Sequence, residues 1–192
     1  MIKRELLVVA LIWSLAAPVL AAVEHYDVDP MHTYPSIEFS HMGISVWRGK
    51  FNRTSGSIAI DRAARTGTVD IVIDIASINF GLAAMDEKAR SDDFFDAARF
   101  PTATYTGTIN FTGDQPGSVD GEVTIRGVSR PVRLTITLFK CIPHPLTRRE
   151  VCGADAQGEL NWSEFGMKMS RYGEGSAGRV QLRIQVEALK RD

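Results

Sequence analysis

Val180-Gln181-Leu182-Arg183-Ile184-Gln185-Val186-Glu187 alternates apolar and polar side chains without a break. Successive side chains of a strand point to opposite faces, so this run reads as one β-strand with a dry face of Val, Leu and Ile and a wet face of Gln, Arg and Glu. The same rhythm recurs upstream. Val132, Leu134, Ile136 and Leu138 alternate with Arg133, Thr135 and Thr137, and Val69, Ile71, Ile73 and Ile75 with Asp70 and Asp74. Weaker versions are Ile37 with Phe39, Ile58 with Ile60, Tyr105 with Ile109 and Phe111, and Val119 with Val123 and Ile125. At least seven strands with one solvated face predict antiparallel pairing.

Turn chemistry separates these runs: Gly56, Gly67, the stretch from Gly113 to Gly117 with Asp114 and Pro116, and Gly127 ahead of Pro131. Short strands joined by short turns predict a closed sheet. The segment from Leu82 to Ala98 breaks the period with helix formers, and Asp92 and Asp93 are placed to cap a second short turn at Phe94 and Phe95. The fold class is therefore all-β: a single antiparallel barrel of about eight strands with one short helical excursion. A barrel of that size is just wide enough either to be filled by its own side chains or to hold one small ligand. The parity of the strands assigns Phe39, Ile58, Ile71, Ile73, Tyr105, Ile109, Ile125, Leu134, Ile136, Leu182 and Ile184 to the inner wall, with Gly107 and Gly121 leaving room beside them.

The first 22 residues form a unit of their own. Lys3 and Arg4 precede an apolar run from Leu6 to Leu15 interrupted only by Ser14, and small residues follow at Ala21 and Ala22. That run is shorter than the roughly 20 residues of a membrane-spanning helix and has the layout of a secretory signal peptide. The expected organisation is a signal peptide over 1–22 and one barrel domain over 23–192, exported to the periplasm, with no transmembrane segment. Lys and Arg total 22 against 23 Asp and Glu. No basic field exists to hold a phosphate backbone, which argues against nucleic acid as a partner.

Export decides how Cys141 and Cys152 are read. They flank a segment with Pro143, Pro145, Arg148 and Arg149 that looks like a loop between strands, and in an oxidising compartment such a pair is expected to form a disulfide. The rival is a metal site formed by both thiols and His144, but a structural zinc site takes four ligands, so no metal is expected. Recognised hydrolase, P-loop and dinucleotide motifs are absent, and no catalytic residues are assigned. His41 shares the parity of Ile37 and Phe39 and is expected to point into the barrel as a polar contact for a ligand head group, as is Arg90 beside Ser91 on the helical segment.

Three groups of residues carry a family resemblance. The opening Tyr26, Val28, Asp29, His32, Ile37, Phe39, His41, Met42 and Gly43, with Gly49 and Phe51, is similar to the start of the YceI-like family of exported lipid-binding proteins. Arg90, Ser91, Asp93, Phe94, Phe95 and Asp96, followed by Phe100, Pro101, Thr102 and Ala103, resembles that family's central motif, and Gly127-Val128-Ser129-Arg130-Pro131-Val132 its strand-turn-strand signature. The region around Cys141 and Cys152 is similar to a cysteine-bearing branch. The resemblance implies a lipocalin-like barrel whose apolar interior holds an isoprenoid or similar amphiphile, with no established catalysis. Many members carry a His two residues before the motif arginine. Here that position is Lys88, which becomes a third expected head-group contact.

Two functional expectations follow. One is an exported, non-enzymatic carrier of an isoprenoid lipid such as a quinone or polyprenyl compound, with no other cofactor. The alternative is a filled barrel, a stress-linked interaction module docking on a membrane redox protein. Oligomeric state is not legible.

Overall fold

The computed structural model describes residues 22–168 and 178–192; the expected signal peptide, but for Ala22, lies outside them. Eleven strands appear among the described residues: β1 Glu24–Val28, β2 Tyr34–His41, β3 Ser45–Phe51, β4 Thr54–Asp61, β5 Thr66–Asp74, β6 Ile78–Asn79, β7 Thr102–Thr112, β8 Gln115–Ile125, β9 Val128–Pro143, β10 Glu150–Asn161 and β11 Arg179–Lys190. One α-helix, α1, spans Ala83–Arg90. All strand pairings are antiparallel, and the ring runs β1-β4-β5-β7-β8-β9-β10-β11 before β11 returns to β1. That is a closed eight-stranded barrel.

Closure depends on a divided strand. The first half of β11 pairs with β2 (Leu182 opposite Ile37) and its last residues with β1 (Ala188 opposite Val28, Lys190 opposite Tyr26). β1 and β2 thus follow one path interrupted at 29–33, where the Asp29 carboxylate accepts the Met31 N–H at 2.9 Å and lies 2.7 Å from His32 Nδ1. β4 continues beside β1, while β3 stays with β2 and extends the sheet to β6.

The β8–β9 hairpin turns on Arg126 and Gly127, both with positive φ (53° and 73°), as a type I′ connection requires. From this turn the Arg126 guanidinium donates to the Asp92 carbonyl at 2.8 Å and to the Phe94 carbonyl. It straps the segment after α1 across one end of the barrel.

Three sequence expectations need correction. The helix ends at Arg90, not near Ala98, because Ser91 returns its N–H and hydroxyl to the Lys88 carbonyl and the chain then turns. Adjacent side chains on a helix diverge by about 100°, so burying both Phe94 and Phe95 takes a turn. Asp93 caps nothing there; it pairs with Lys88 at 2.5 Å and Lys168 at 3.8 Å. Leu138 is 57% exposed, because the register of β9 against β10 slips between Ala156/Ile136 and Asp155/Leu138. A bulge of this kind inverts the facing of every later residue, and Phe139 and Cys141 become the half-buried positions.

The third correction concerns the cysteines. Both lie on strands, directly opposite each other in the β9–β10 register with Cα atoms 4.0 Å apart, and they form a disulfide. The loop is only the connection from His144 to Arg149. Bridging residues eleven apart in sequence is worth about 2–3 kcal/mol in the chain-entropy model. The double variant Cys141→Ala/Cys152→Ala should keep a native β circular-dichroism spectrum while losing that much stability in urea titration; a loss below ~0.5 kcal/mol would contradict it.

Candidate functional site

The inward faces of the strands surround a cavity of about 180 Å³, room for about six waters at ~30 Å³ each. Ten of the eleven wall positions assigned by parity face it: Ile58, Ile71, Ile73, Tyr105, Ile109, Ile125, Leu134, Ile136, Leu182 and Ile184. Phe39 does not. It is buried among rings instead, 4.6 Å from Trp162 and 6.0 Å from Phe80 between centroids. The room expected beside Gly121 is taken, since a Cβ there would stand 2.6 Å from the Tyr105 ring.

Among the described residues, no Lys, Arg, His, Asp or Glu contributes to the cavity wall. Its polar side chains are few and mostly satisfied. The Tyr105 hydroxyl donates to the Val132 carbonyl at 2.9 Å, the Thr33 hydroxyl to the Glu187 carbonyl at 3.2 Å and the Ser36 hydroxyl to the Tyr34 carbonyl at 3.4 Å. Burial pushes the Tyr105 phenol above its ordinary range, with the Asp120 charge adding to the effect. Thr54 and Trp162 differ: the Thr54 hydroxyl and the Trp162 indole N–H are buried without a hydrogen-bond partner. Neither was singled out from the sequence, because orphaned polarity is a property of packing and leaves no periodic trace.

At the end of the barrel away from α1, a charged cluster closes the strand tips. Tyr26 donates its hydroxyl to Glu150 at 2.5 Å, and Glu24 takes Arg62 Nε and Lys190 Nζ, each at 2.6 Å. Burial alone would raise the Glu24 carboxyl, but hydrogen bonds from Lys190, Arg62 and Tyr26 outweigh it and hold the group below its ordinary 4.5. Burial and the bond to Glu150 drive the Tyr26 phenol upward.

The expected head-group contacts are not in the cavity wall. His41 lies beyond the point where β2 leaves the barrel, stacked on Trp47 at 4.4 Å between centroids. With Lys88, Phe39, Trp47, Leu82, Ala84, Met85 and Phe94 it lines a separate pocket between the β2–β3 hairpin and α1. Lys88 is paired with Asp93 and sits 5.6 Å from the Phe94 ring. Arg90 lies outside both pockets, 4.0 Å from Asp86 on the same helix. The grouping of Cys141, Cys152 and Glu150 has the composition of a metal site, but both sulfurs are committed to the disulfide.

A closed antiparallel barrel with an uncharged, apolar interior is the architecture of a protein that encloses a hydrophobic guest. The YceI-like domain model matches residues 26–188, and the chain belongs to the YceI-like family. A UPF0312 protein of Pseudomonas fluorescens is 32% identical over 99% of this chain and 99% of its own length. One from Vibrio vulnificus is 28% identical over 98% and 100%. Among solved structures, the YceI protein of Campylobacter jejuni superposes with a TM-score of 0.68 at 27% identity, covering 80% of this chain and 91% of that one. A polyisoprenoid binding domain from Saccharophagus degradans shares the fold, with a TM-score of 0.58 at 16% identity over 85% of this chain and 97% of that one. No helix among the described residues is long and apolar enough to cross a membrane.

The Glu24 cluster has a pH signature. Because its folded value is depressed, its stabilisation is complete above 4.5 and is lost as pH falls through the folded value. Glu24→Gln should therefore melt below the wild type at neutral pH and lose less melting temperature than the wild type between about pH 6 and 3. Parallel acid limbs in thermal scans would show that Glu24 contributes nothing to the limb.

Proposed function

We propose that this chain is an exported, non-enzymatic binder of an isoprenoid lipid, a quinone or polyprenyl compound, enclosed by the barrel in the periplasm after removal of a signal peptide over 1–22. The observation that carries the reading is the wall that strands all around the ring contribute, uncharged among the described residues. Burying an apolar chain there is favourable by ~25 cal/mol per Å² removed from water. The polyisoprenoid-binding description of the Saccharophagus degradans neighbour, the disulfide and the leader-like sequence agree with it. In this reading Ile58, Ile71, Ile73, Ile136, Leu182 and Ile184 contact the tail. His41 and Lys88 meet only parts of the ligand that emerge from the barrel.

The test is native mass spectrometry of protein purified from the exported fraction, with organic extraction and identification of what it carries. A stoichiometric prenyl lipid is expected, and Ile136→Glu should abolish it while the β circular-dichroism spectrum persists. An empty wild type that takes up neither quinone nor polyprenol overturns the proposal in favour of an interaction module. A folded Ile136→Glu protein with unchanged ligand content removes Ile136 from the tail-binding wall.

A further inference from the structure

Thr54 opens β4 and Trp162 follows the last residue of β10, so both stand at the end of the barrel covered by α1 and the strap from Arg126. They are 4% and 2% exposed, both line the cavity, and their polar atoms are the two buried side-chain groups without a partner among the described residues. Every other polar side chain of the wall has a hydrogen bond: Tyr26, Thr33, Ser36 and Tyr105. Leaving a buried donor without a partner costs the full desolvation of that group. A purely hydrocarbon guest would leave both orphaned.

The rest of the wall restricts what the missing partner is. An indole N–H only donates, and a threonine hydroxyl donates or accepts, so an accepting oxygen satisfies either one. A phosphate or carboxylate brought to this place would lose its water and find no cation among the described wall residues, which a buried anion does not tolerate. Resting on the binder reading above, we infer that the ligand is uncharged inside the barrel and places a neutral accepting oxygen, a carbonyl or hydroxyl, at the α1 end, where the Trp162 N–H and the Thr54 hydroxyl hold it. The hydrocarbon tail then runs toward the end closed by Glu24, Tyr26 and Glu150. The site selects for a prenyl quinone or prenyl alcohol over a prenyl diphosphate or fatty acid.

Four probes separate the outcomes, titrated in mild detergent against the full-length exported protein with native mass spectrometry as readout: a prenyl quinone, the prenyl alcohol and the prenyl diphosphate of the same chain length, and squalene, an oxygen-free isoprenoid. The wild type should bind quinone and alcohol at least tenfold more tightly than the diphosphate. Thr54→Val, which keeps the shape and removes the hydroxyl, should weaken quinone and alcohol about three- to tenfold and leave squalene unchanged or tighter. Trp162→Phe should follow the same pattern. Ligand-free Thr54→Val should melt no lower than the wild type, because a methyl replaces an unsatisfied hydroxyl; this measurement also shows that the variant folds. Diphosphate binding as tight as the alcohol, or equal losses for squalene and alcohol in Thr54→Val, overturns the inference while leaving the binder reading intact. Failure of the wild type to take up any of the four overturns the binder reading itself.

Discussion

The pairing of β11 with β10 on one side and with β2 and then β1 on the other is the contact that the remainder of the molecule rests on. A sheet with free edges exposes a row of unpaired backbone groups and has no inside; a closed sheet removes the edges and makes one face an interior. Once β11 closes the ring, period-two side-chain alternation becomes a wall, and eight strands set a bore that side chains narrow without filling. The division of β1 from β2 at Asp29 is the cost of closing at both levels. The strand path must shift neighbours from β3 to β4, and the Asp29–His32 turn absorbs the offset.

The two ends of the bore are finished with different chemistry. One is tied by ion pairs and the Tyr26 hydroxyl, where strand tips meet water. The other is sealed by rings: Phe39 against Trp162 and Phe80, and Phe51 against Phe95. Strong charges are kept at a rim where solvent screens and solvates them, and the interior, among the described residues, keeps neutral polar groups. This division gives the cavity a direction, which a uniformly greasy tube would lack.

Most of the wall was legible from residue types alone, because a side-chain period of two is a purely geometric consequence of the strand backbone. Ile71, Ile136 and Leu182 needed only their neighbours to be placed. What resisted reading depended on events that carry no period. One inserted residue in β9 turned Leu138 outward, and the end of β2 carried Phe39 and His41 past the rim onto α1. Cys141 and Cys152 sit among prolines and arginines that resemble loop composition, yet the long β9–β10 hairpin runs straight through them. The polar atoms of Thr54 and Trp162 are orphaned by how the whole interior packs around them. Parity along one strand says nothing about that.

The pairing of β1 with β11 also governs how the molecule is made. Tyr26 finds β4 early, but its other neighbour, Lys190, is synthesised 164 residues later (190 − 26). Until then the nascent sheet is open, its apolar face wet and two edges unprotected, a state that favours chaperone capture or aggregation over slow, long-range closure. A ribosome-bound chain is therefore an unsealed sheet with no enclosed volume. The container comes into being all at once, when its final strand arrives.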